Sequence, residues 1–126
     1  MARKTLVNML RVASVTGLSQ VTSNVITAAG NSMEFYEFAH ADAVQFTVDC
    51  SAFTGTSITF VLNQRDPATG LFVAVSGVSF TPVAGVLSTP LIVTVDPLYA
   101  SAYQLSWTGT FTTFTGSVVA TLIDRS

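Results

Sequence analysis

The sequence has few charged residues, and this shortage determines what its surface is made of. Lys, Arg, Asp and Glu together make up 10% of the 126 residues, whereas about 25% is typical of soluble domains. Serine and threonine take their place, so the surface is largely hydroxylic and uncharged. Because few charges give little repulsion between copies, this composition favours a protein that packs against partners. An ordinary neutral β-sandwich is the alternative interpretation.

Cysteine and histidine are almost absent. The single cysteine, Cys50, excludes a disulfide within the chain, and its place among alternating apolar residues predicts a small buried side chain. The single histidine, His40, lies two residues before Asp42. This spacing predicts a surface turn, because a catalytic triad or a histidine-based metal site needs further partners at defined places.

Motifs of enzyme chemistry are also missing. The sequence contains no G-x-G-x-x-G, no G-K-[ST], no C-x-x-C and no calcium-loop spacing. Glu34 and Glu37 are three residues apart, so on a strand they would point to opposite faces and could not form the facing carboxyl pair of a glycosidase. We therefore predict that the protein is not an enzyme and has no catalytic residue, no metal and no cofactor.

Long apolar runs are absent, although the mean hydropathy is +0.56. The longest runs are short, such as Leu71–Val75, whereas a membrane-spanning helix needs about 20 mostly apolar residues. In Met1–Val12, Asn8 and Arg11 interrupt the apolar stretch, which disfavours a signal peptide. The sequence therefore predicts no membrane partner.

Alternation of apolar and polar residues is the strongest pattern present. Within residues 43–75, apolar and polar residues alternate with period two in two runs, which places the apolar residues of each run on one face of a pleated strand. The apolar sets are Val44, Phe46, Val48 and Cys50 in the first run and Ile58, Phe60 and Leu62 in the second. A third run follows Asp66-Pro67-Ala68-Thr69-Gly70. Here Asp66 can accept backbone N–H bonds and Gly70 can adopt a left-handed conformation, so we predict a hairpin within an antiparallel meander.

The remaining chain predicts further short strands separated by turns. We predict strands at Met33–Phe38, at Leu71–Phe80 with a break at Gly77, at Leu91–Val95, Tyr99–Trp107 and Ser117–Asp124, a loop at Thr81–Pro90, and a loop or weak strand tip at Thr108–Gly116. Trp107 is expected in the core rather than on a ligand-binding surface. Seven or eight strands without a helical period predict an all-β fold, an antiparallel β-sandwich of immunoglobulin-like or jelly-roll type.

Charge divides the chain into two parts. Residues 1–31 contain three basic residues, Arg3, Lys4 and Arg11, and no acidic residue, whereas residues 32–126 contain two basic and seven acidic residues. We predict an extended N-terminal arm at 1–31 and a β-sandwich domain at 32–126, with the three basic residues as partner contacts. Three charges are too few for nucleic-acid binding, which needs a broader basic patch.

Several segments between residues 43 and 124 resemble small virion proteins of tailed bacteriophages. They are DCSAFTGTS at 49–57, QRDPATGLF at 64–72, YQLSWTGT at 103–110 and FTGS at 114–117. The resemblance lies in a G-T-S start of a strand, a D-P-x-T-G hairpin followed by an aromatic residue, and a later strand that ends near tryptophan. It implies a β-sandwich head protein, most like capsid decoration (cement) proteins.

What the resemblance implies is a role on the outside of the virion. The expected partners are the major capsid protein and other copies of the chain, as a homotrimer, with synthesis in the host cytoplasm. A head–tail connector, neck or tail subunit is an alternative. A carbohydrate-binding module on a phage fibre is another, and its candidate aromatic residues are Phe35, Tyr36, Phe111 and Phe114.

Overall fold

Two long strands organise the fold. The computed structural model describes residues 3–10, 24–98, 100 and 102–124, which form seven β-strands and one 3₁₀ helix, with no α-helix among them. The strands are β1 Arg3–Asn8, β2 Asn24–Ile26, β3 Gly30–Asn31, β4 Ala43–Arg65, β5 Phe72–Ala74, β6 Leu91–Val95 and β7 Tyr103–Asp124, and the helix is Glu37–His40. The predicted all-β, antiparallel fold is thereby confirmed.

β4 and β7 pair antiparallel along almost their whole length. The paired residues run from Ala43 opposite Ile123 to Gln64 opposite Tyr103. At the Ala43 end, β1 adds to β7 and β6 adds to β4, giving a first half-sheet in the order β1-β7-β4-β6. At the other end, β2 and β3 add to β7 and β5 adds to β4, giving a second half-sheet. All these pairs are antiparallel.

Irregular pairing in the middle of the two long strands bends them. Three register shifts fall between Cys50 and Ser57, and such bulges increase twist and bend a strand. Gly55 and Gly109 have φ values of +138° and +147°, which side-chain-bearing residues rarely adopt. A Cβ on Gly109 would overlap the carbonyl oxygen of Ser57, so the close approach of the strands at the bend requires glycine.

The bend turns the two half-sheets toward one aromatic core. Phe46 in the first half-sheet and Phe60 in the second both contact Phe80, with ring centroids 5.5 and 6.4 Å apart. Phe38 contacts Phe46 and Tyr103, at centroid distances of 6.4 and 4.9 Å. Each fully buried ring of this kind contributes about 1.5–3 kcal/mol. The aromatic cluster therefore stabilises the bent arrangement of the ribbon.

Alternating apolar residues of β4 and β7 are buried, including the two sets predicted on one strand face and Trp107. They are Val44, Phe46, Val48, Cys50, Ile58, Phe60, Leu62, Tyr103, Leu105, Trp107, Val118, Ala120 and Leu122. Trp107 is confirmed as a core residue, and its Nε1 donates a hydrogen bond to the Ala28 carbonyl oxygen at 3.0 Å. Burial raises the pKa of the Cys50 thiol, as expected of an inert structural cysteine.

Two segments between the predicted strands are themselves paired. The runs at 43–50 and 58–62 belong to the single strand β4. Thr108–Gly116, predicted as a loop or weak strand tip, lies inside β7, so the loop alternative was wrong. Bulges absorb the extra residues, so the backbone stays paired where a turn was expected. In β7 the register passes over Thr112, and the buried positions consequently change from odd to even residue numbers.

The aromatic strand predicted at Met33–Phe38 was also wrong. Phe35 forms an isolated bridge with Tyr103, and Glu37–His40 is a 3₁₀ helix. Phe35 and Phe38 are both fully buried. Three residues apart on a strand, they would point to opposite faces, so the helical turn is what allows both rings to enter the same core.

The hairpin predicted between β4 and β5 is confirmed. The Asp66 carboxylate accepts hydrogen bonds from the Thr69 hydroxyl at 2.8 Å and from the Ala68 N–H at 3.2 Å. Gly70 has a φ of +78°, and its N–H donates to the Asp66 carbonyl oxygen at 2.8 Å. The bond from Thr69, followed by that from Ala68, lowers the pKa of the Asp66 carboxyl.

Two parts of the predicted arm lie in the sheet. β1, β2 and β3 all pair with β7, and four side chains from this region are buried in the core, namely Val7, Met9, Leu10 and Ile26. Residues 1, 2 and 11–23 of the arm lie outside the described residues. The division of the chain after residue 31 therefore stays a prediction, with the qualification that 3–10 and 24–31 are integral to the fold.

The bend yields a first testable prediction. Replacing Gly109→Ala should lower the free energy of unfolding by about 2–4 kcal/mol, because the new Cβ strains the backbone and overlaps Ser57. Gly85→Ala is the matched control, since its Cβ would meet open space, and it should change stability by less than about 0.5 kcal/mol. Urea unfolding measures both, and equal midpoints would contradict the close strand approach at Gly109.

The hairpin yields a second prediction. Because the folded-state pKa of Asp66 is lowered, its ionised form adds stability above the unfolded pKa, and this contribution is lost as the pH falls through the folded pKa. Asp66→Asn should therefore have a lower melting temperature than the wild type at pH 7. The difference in melting temperature between the two should become smaller below about pH 4. Thermal melts between pH 7 and pH 2.5 test this; a gap independent of pH would refute it.

Candidate binding surface

The candidate site is the side of the first half-sheet that points away from the core. Because side chains alternate along a strand, the neighbours of buried Val7 and Phe46 point outward. Leu6 and Ile92 are 58% and 61% exposed there. We name this surface the outer face and define it by seven residues, Leu6, Gln45, Thr47, Ile92, Thr94, Val119 and Thr121.

Strand pairing arranges the outer face in two rows. One row runs Leu6, Thr121, Gln45, Thr94, and the other runs Val119, Thr47, Ile92. Within the first row, Gln45 Nε2 donates a hydrogen bond to Thr94 Oγ1 at 3.5 Å. With strands about 4.8 Å apart and rows about 6.8 Å apart, the seven residues cover about 230 Å². The face is therefore a broad surface and not a ligand-sized pocket.

The chemistry of the outer face suits contact with another protein. None of its seven residues is charged or titratable. Exposed methyl groups can be buried against apolar surface, and the threonine and glutamine groups can form hydrogen bonds at a partly wet interface. The nearest acidic residue along β4 is the exposed Asp49, beyond Thr47. The face offers no nucleophile, no general acid or base and no set of metal ligands.

The predicted basic contacts lie at one border of this surface. Arg3 and Lys4 begin β1, opposite Asp124 and Ile123 of β7. Among the described strands β1 is the edge of the first half-sheet, so their backbone lies beside the outer face. Arg11 lies outside the described residues. The role of these three residues as partner contacts stays a prediction.

The four aromatic residues proposed for carbohydrate binding do not form an exposed row. Phe35 and Phe114 are fully buried. Phe111 is half-buried and stacks on Phe53, with ring centroids 6.5 Å apart. Tyr36 is 54% exposed, and its hydroxyl donates to the Glu34 carboxylate at 2.9 Å, which raises the pKa of Tyr36. Of the four candidates, Tyr36 is thus the one whose ring is more than half exposed and could stack on a sugar ring.

Other candidate chemistry is sparse in the described part of the chain. His40 ends the 3₁₀ helix, and the described residues contain no group of three or more His, Cys, Asp and Glu side chains that could hold a metal ion. The Asp42 backbone N–H donates to the Ile123 carbonyl oxygen at 2.8 Å, which fixes the start of β4. Among the described helices there is none long and apolar enough to cross a membrane.

Two shallow clefts lie beside the strands, and the second of them borders the outer face at Thr94. The first, of about 310 Å³, lies beside Trp107 and is lined by Leu10 and residues 25–31; none of these side chains is titratable. The second, of about 290 Å³, lies between residues 75–78 and 94–97, and its one titratable side chain is Asp96. Neither lining supplies a pair of groups for acid–base catalysis.

Comparison with known proteins gives similarity of fold. The SPBc2 prophage-derived protein YomS matches with a TM-score of 0.64 and 15% identity, over 98% of this chain and 96% of that chain. A Clostridium thermocellum endo-1,4-β-D-xylanase 10B structure, with CBM22-1 and GH10 modules and bound xylohexaose, matches with a TM-score of 0.51 and 12% identity, over 99% of this chain but 25% of that chain. No protein-family model and no curated protein sequence matches.

Sequence reasoning did not identify the outer face as a unit. In β6 the signal was present, because Ile92 and Thr94 alternate with inward-facing residues. The same holds in β7 for Val119 and Thr121. What the sequence could not supply was the pairing of β1 with β7, which brings Leu6 beside Thr121. The face therefore emerges only when the strand order is known.

Adjacent residues of β1 provide a test of this orientation. Leu6→Gln should change the free energy of unfolding by less than about 0.5 kcal/mol, because this side chain already faces solvent. Val7→Gln should cost about 2–3 kcal/mol, because Val7 is 5% exposed and a buried amide would lack partners. Chemical denaturation compares the two variants. Equal effects would show that β1 does not pack as described.

Proposed function

We propose that the chain is a non-enzymatic structural protein of a bacteriophage virion that binds the capsid exterior through the outer face. The observation that carries the proposal is this uncharged face, on which Leu6 and Ile92 are more than half exposed. The net charge of the chain is −2, so repulsion between copies is weak. Fold similarity to a prophage-derived protein across nearly all of both chains supports a phage setting. The expected partner is the major capsid protein.

The mechanism of stabilisation is mechanical. An outer face of about 230 Å² is less than a third of the roughly 800 Å² that each partner buries in a standard protein interface. A single copy would therefore bind weakly, and many copies that also contact one another would hold the shell by multivalency. The basic residues Arg3 and Lys4 at the adjoining edge would steer the chain toward an acidic capsid patch.

A carbohydrate-binding module is the second candidate. It is favoured by the fold similarity to a xylanase structure that contains xylohexaose. The burial of Phe35 and Phe114 weighs against it, because sugar rings are commonly bound on exposed aromatic side chains. A glycan array distinguishes the candidates, since a decoration protein should show no saturable binding. A head–tail connector or tail subunit would instead appear as a ring at a vertex or tail by electron microscopy.

Two variants of the same strand test capsid binding. Thr121→Glu places a charge in the middle of the outer face and should weaken co-sedimentation with empty capsids about tenfold or more, because the charge must be desolvated without a partner. Thr108→Glu is the matched control, since this exposed residue of β7 lies outside the outer face. Both variants must melt near the wild type. Equal binding by Thr121→Glu and wild type would refute the proposed face.

A further inference from the structure

The edges of the sheet differ in how well they resist pairing with other chains. An exposed edge strand presents unpaired N–H and C=O groups, and proteins commonly block such edges with short strands or with charges. β2, β3 and β5 have two or three residues each. β1 begins with Arg3 and Lys4, which disfavour pairing with a second β1 but not with a strand that ends near an acidic residue. β6 carries neither device, because its five residues, LIVTV, are uncharged and mostly β-branched.

β6 has one neighbour among the described strands. It pairs with β4 and with no other strand in this part of the chain. Ile92 is 61% exposed, and Pro90 and Pro97 bound the strand on either side. β6 is therefore a five-residue strand with defined ends and one described strand neighbour, and an open cleft separates its last residues from residues 75–78.

We propose that β6 of one copy pairs with β1 of a second copy, so that the first half-sheet continues from molecule to molecule. This inference rests on the self-association included in the proposed function, but not on binding to a capsid. The second copy is the occupant of the β6 edge, and its β1 is the strand that it contributes.

Strand polarity supports this pairing. β1 is antiparallel to β7, β7 to β4, and β4 to β6, so β1 and β6 of one copy run in opposite directions at the two edges of the first half-sheet. A second copy placed beside β6 in the same orientation then presents its β1 antiparallel to β6. The alternation of the sheet continues without a break.

The register of the sheet specifies which residues would meet. The row that begins at Leu6 ends at Thr94, so extending it places Leu6 of the second copy beside Thr94. Val7 then lies beside Val93, on the inward side where Val7 is buried and Val93 is half-buried. The outer face would become continuous across the contact and would keep its uncharged character.

Charge selects β1 over a second β6 as the partner strand. β1 begins with Arg3 and Lys4, and Asp96 follows directly after β6. In an antiparallel pair, the beginning of one strand lies beside the end of the other, so the basic residues of β1 and Asp96 fall at the same end. Two β6 strands would instead place their two aspartates at opposite ends, with no base opposite either.

This contact uses two different surfaces, so it is heterologous and forms a closed ring where the rotation between copies allows closure. A homotrimer would join twelve strands from three first half-sheets. Because one pair of five-residue strands supplies few hydrogen bonds, and each replaces a hydrogen bond to water, the free protein should associate weakly. Concentration on a capsid would complete the association.

Disulfide trapping between copies tests the pairing directly. In a Cys50→Ala background, one variant carries Leu6→Cys and a second carries Thr94→Cys, and the two are mixed under mild oxidation without capsids. Within one copy these positions are three strand spacings apart, about 14 Å, well beyond the roughly 7 Å limit for a disulfide. A covalent product must therefore join two copies.

We expect the mixture to give a reducible dimer in at least about tenfold greater yield than either variant alone, because paired strands raise the local thiol concentration. A mixture of Gln45→Cys with Leu6→Cys is the control, because Gln45 lies on β4, one strand away from the β6 edge. This mixture should give no more dimer than either variant alone. Circular dichroism melts confirm that each variant is folded.

Other outcomes overturn the inference. Strong dimer formation by Thr94→Cys alone would show that β6 pairs with itself, and equal yields in all mixtures would show random collision. Neither result bears on the proposed function, because capsid binding is measured separately, by co-sedimentation of the wild type with empty capsids. If the wild type failed to bind capsids while the cysteine variants still formed the expected dimer, the proposed function would be refuted and the strand pairing would be supported.

Discussion

The antiparallel pairing of β4 with β7 is the constraint on which the rest of the structure depends. Every other strand in the described part of the chain adds to one of these two, and the core is built mainly from their inward-facing side chains. Since the ribbon is more than twenty residues long, a flat version would leave one apolar face in water. The bend at Gly55 and Gly109 solves this problem by turning one half of that face toward the other.

The composition of the outer face follows from the same constraint. Thr47 and Thr121 lie in strands with neighbours on both sides, where β-branched residues are favoured and a charged residue would be crowded by its cross-strand partners. Threonine meets both demands, because its methyl group packs on the sheet and its hydroxyl remains hydrated. A surface built in this way keeps a low desolvation cost, and that property makes it suitable for burial against a partner.

Local patterns predicted what is locally determined. The Asp66–Gly70 hairpin was predictable because its hydrogen bonds lie within five residues, and Leu91–Val95 was predictable because turn residues bound it closely. The inward faces of β4 and β7 followed from period two. The loop alternative at Thr108–Gly116 was wrong because glycine and threonine mark both turns and bulges, and only the partner strand determines which of them forms.

The pairing of strands far apart in the chain could not be predicted from the sequence for a related reason. Nothing in RKTLVN specifies that it pairs with residues 119–124, since its register is set by a strand more than one hundred residues away. From the uneven charge of the chain, Arg3 and Lys4 were predicted to be partner contacts within an extended arm. The structure places their backbone at a sheet edge, where basic residues have the additional effect of discouraging a strand from pairing with a copy of itself.

The outer face and the sheet edges point in different directions, and this geometry makes the two proposed interactions compatible. Contacts through the outer face act along the normal of the first half-sheet, whereas contacts between β6 and β1 act within its plane. A copy that lies with the outer face against a shell still presents both edges sideways to its neighbours. Each lateral contact then holds a neighbour at the height and orientation needed for its own face to reach the shell, so weak binding in one direction reinforces weak binding in the other.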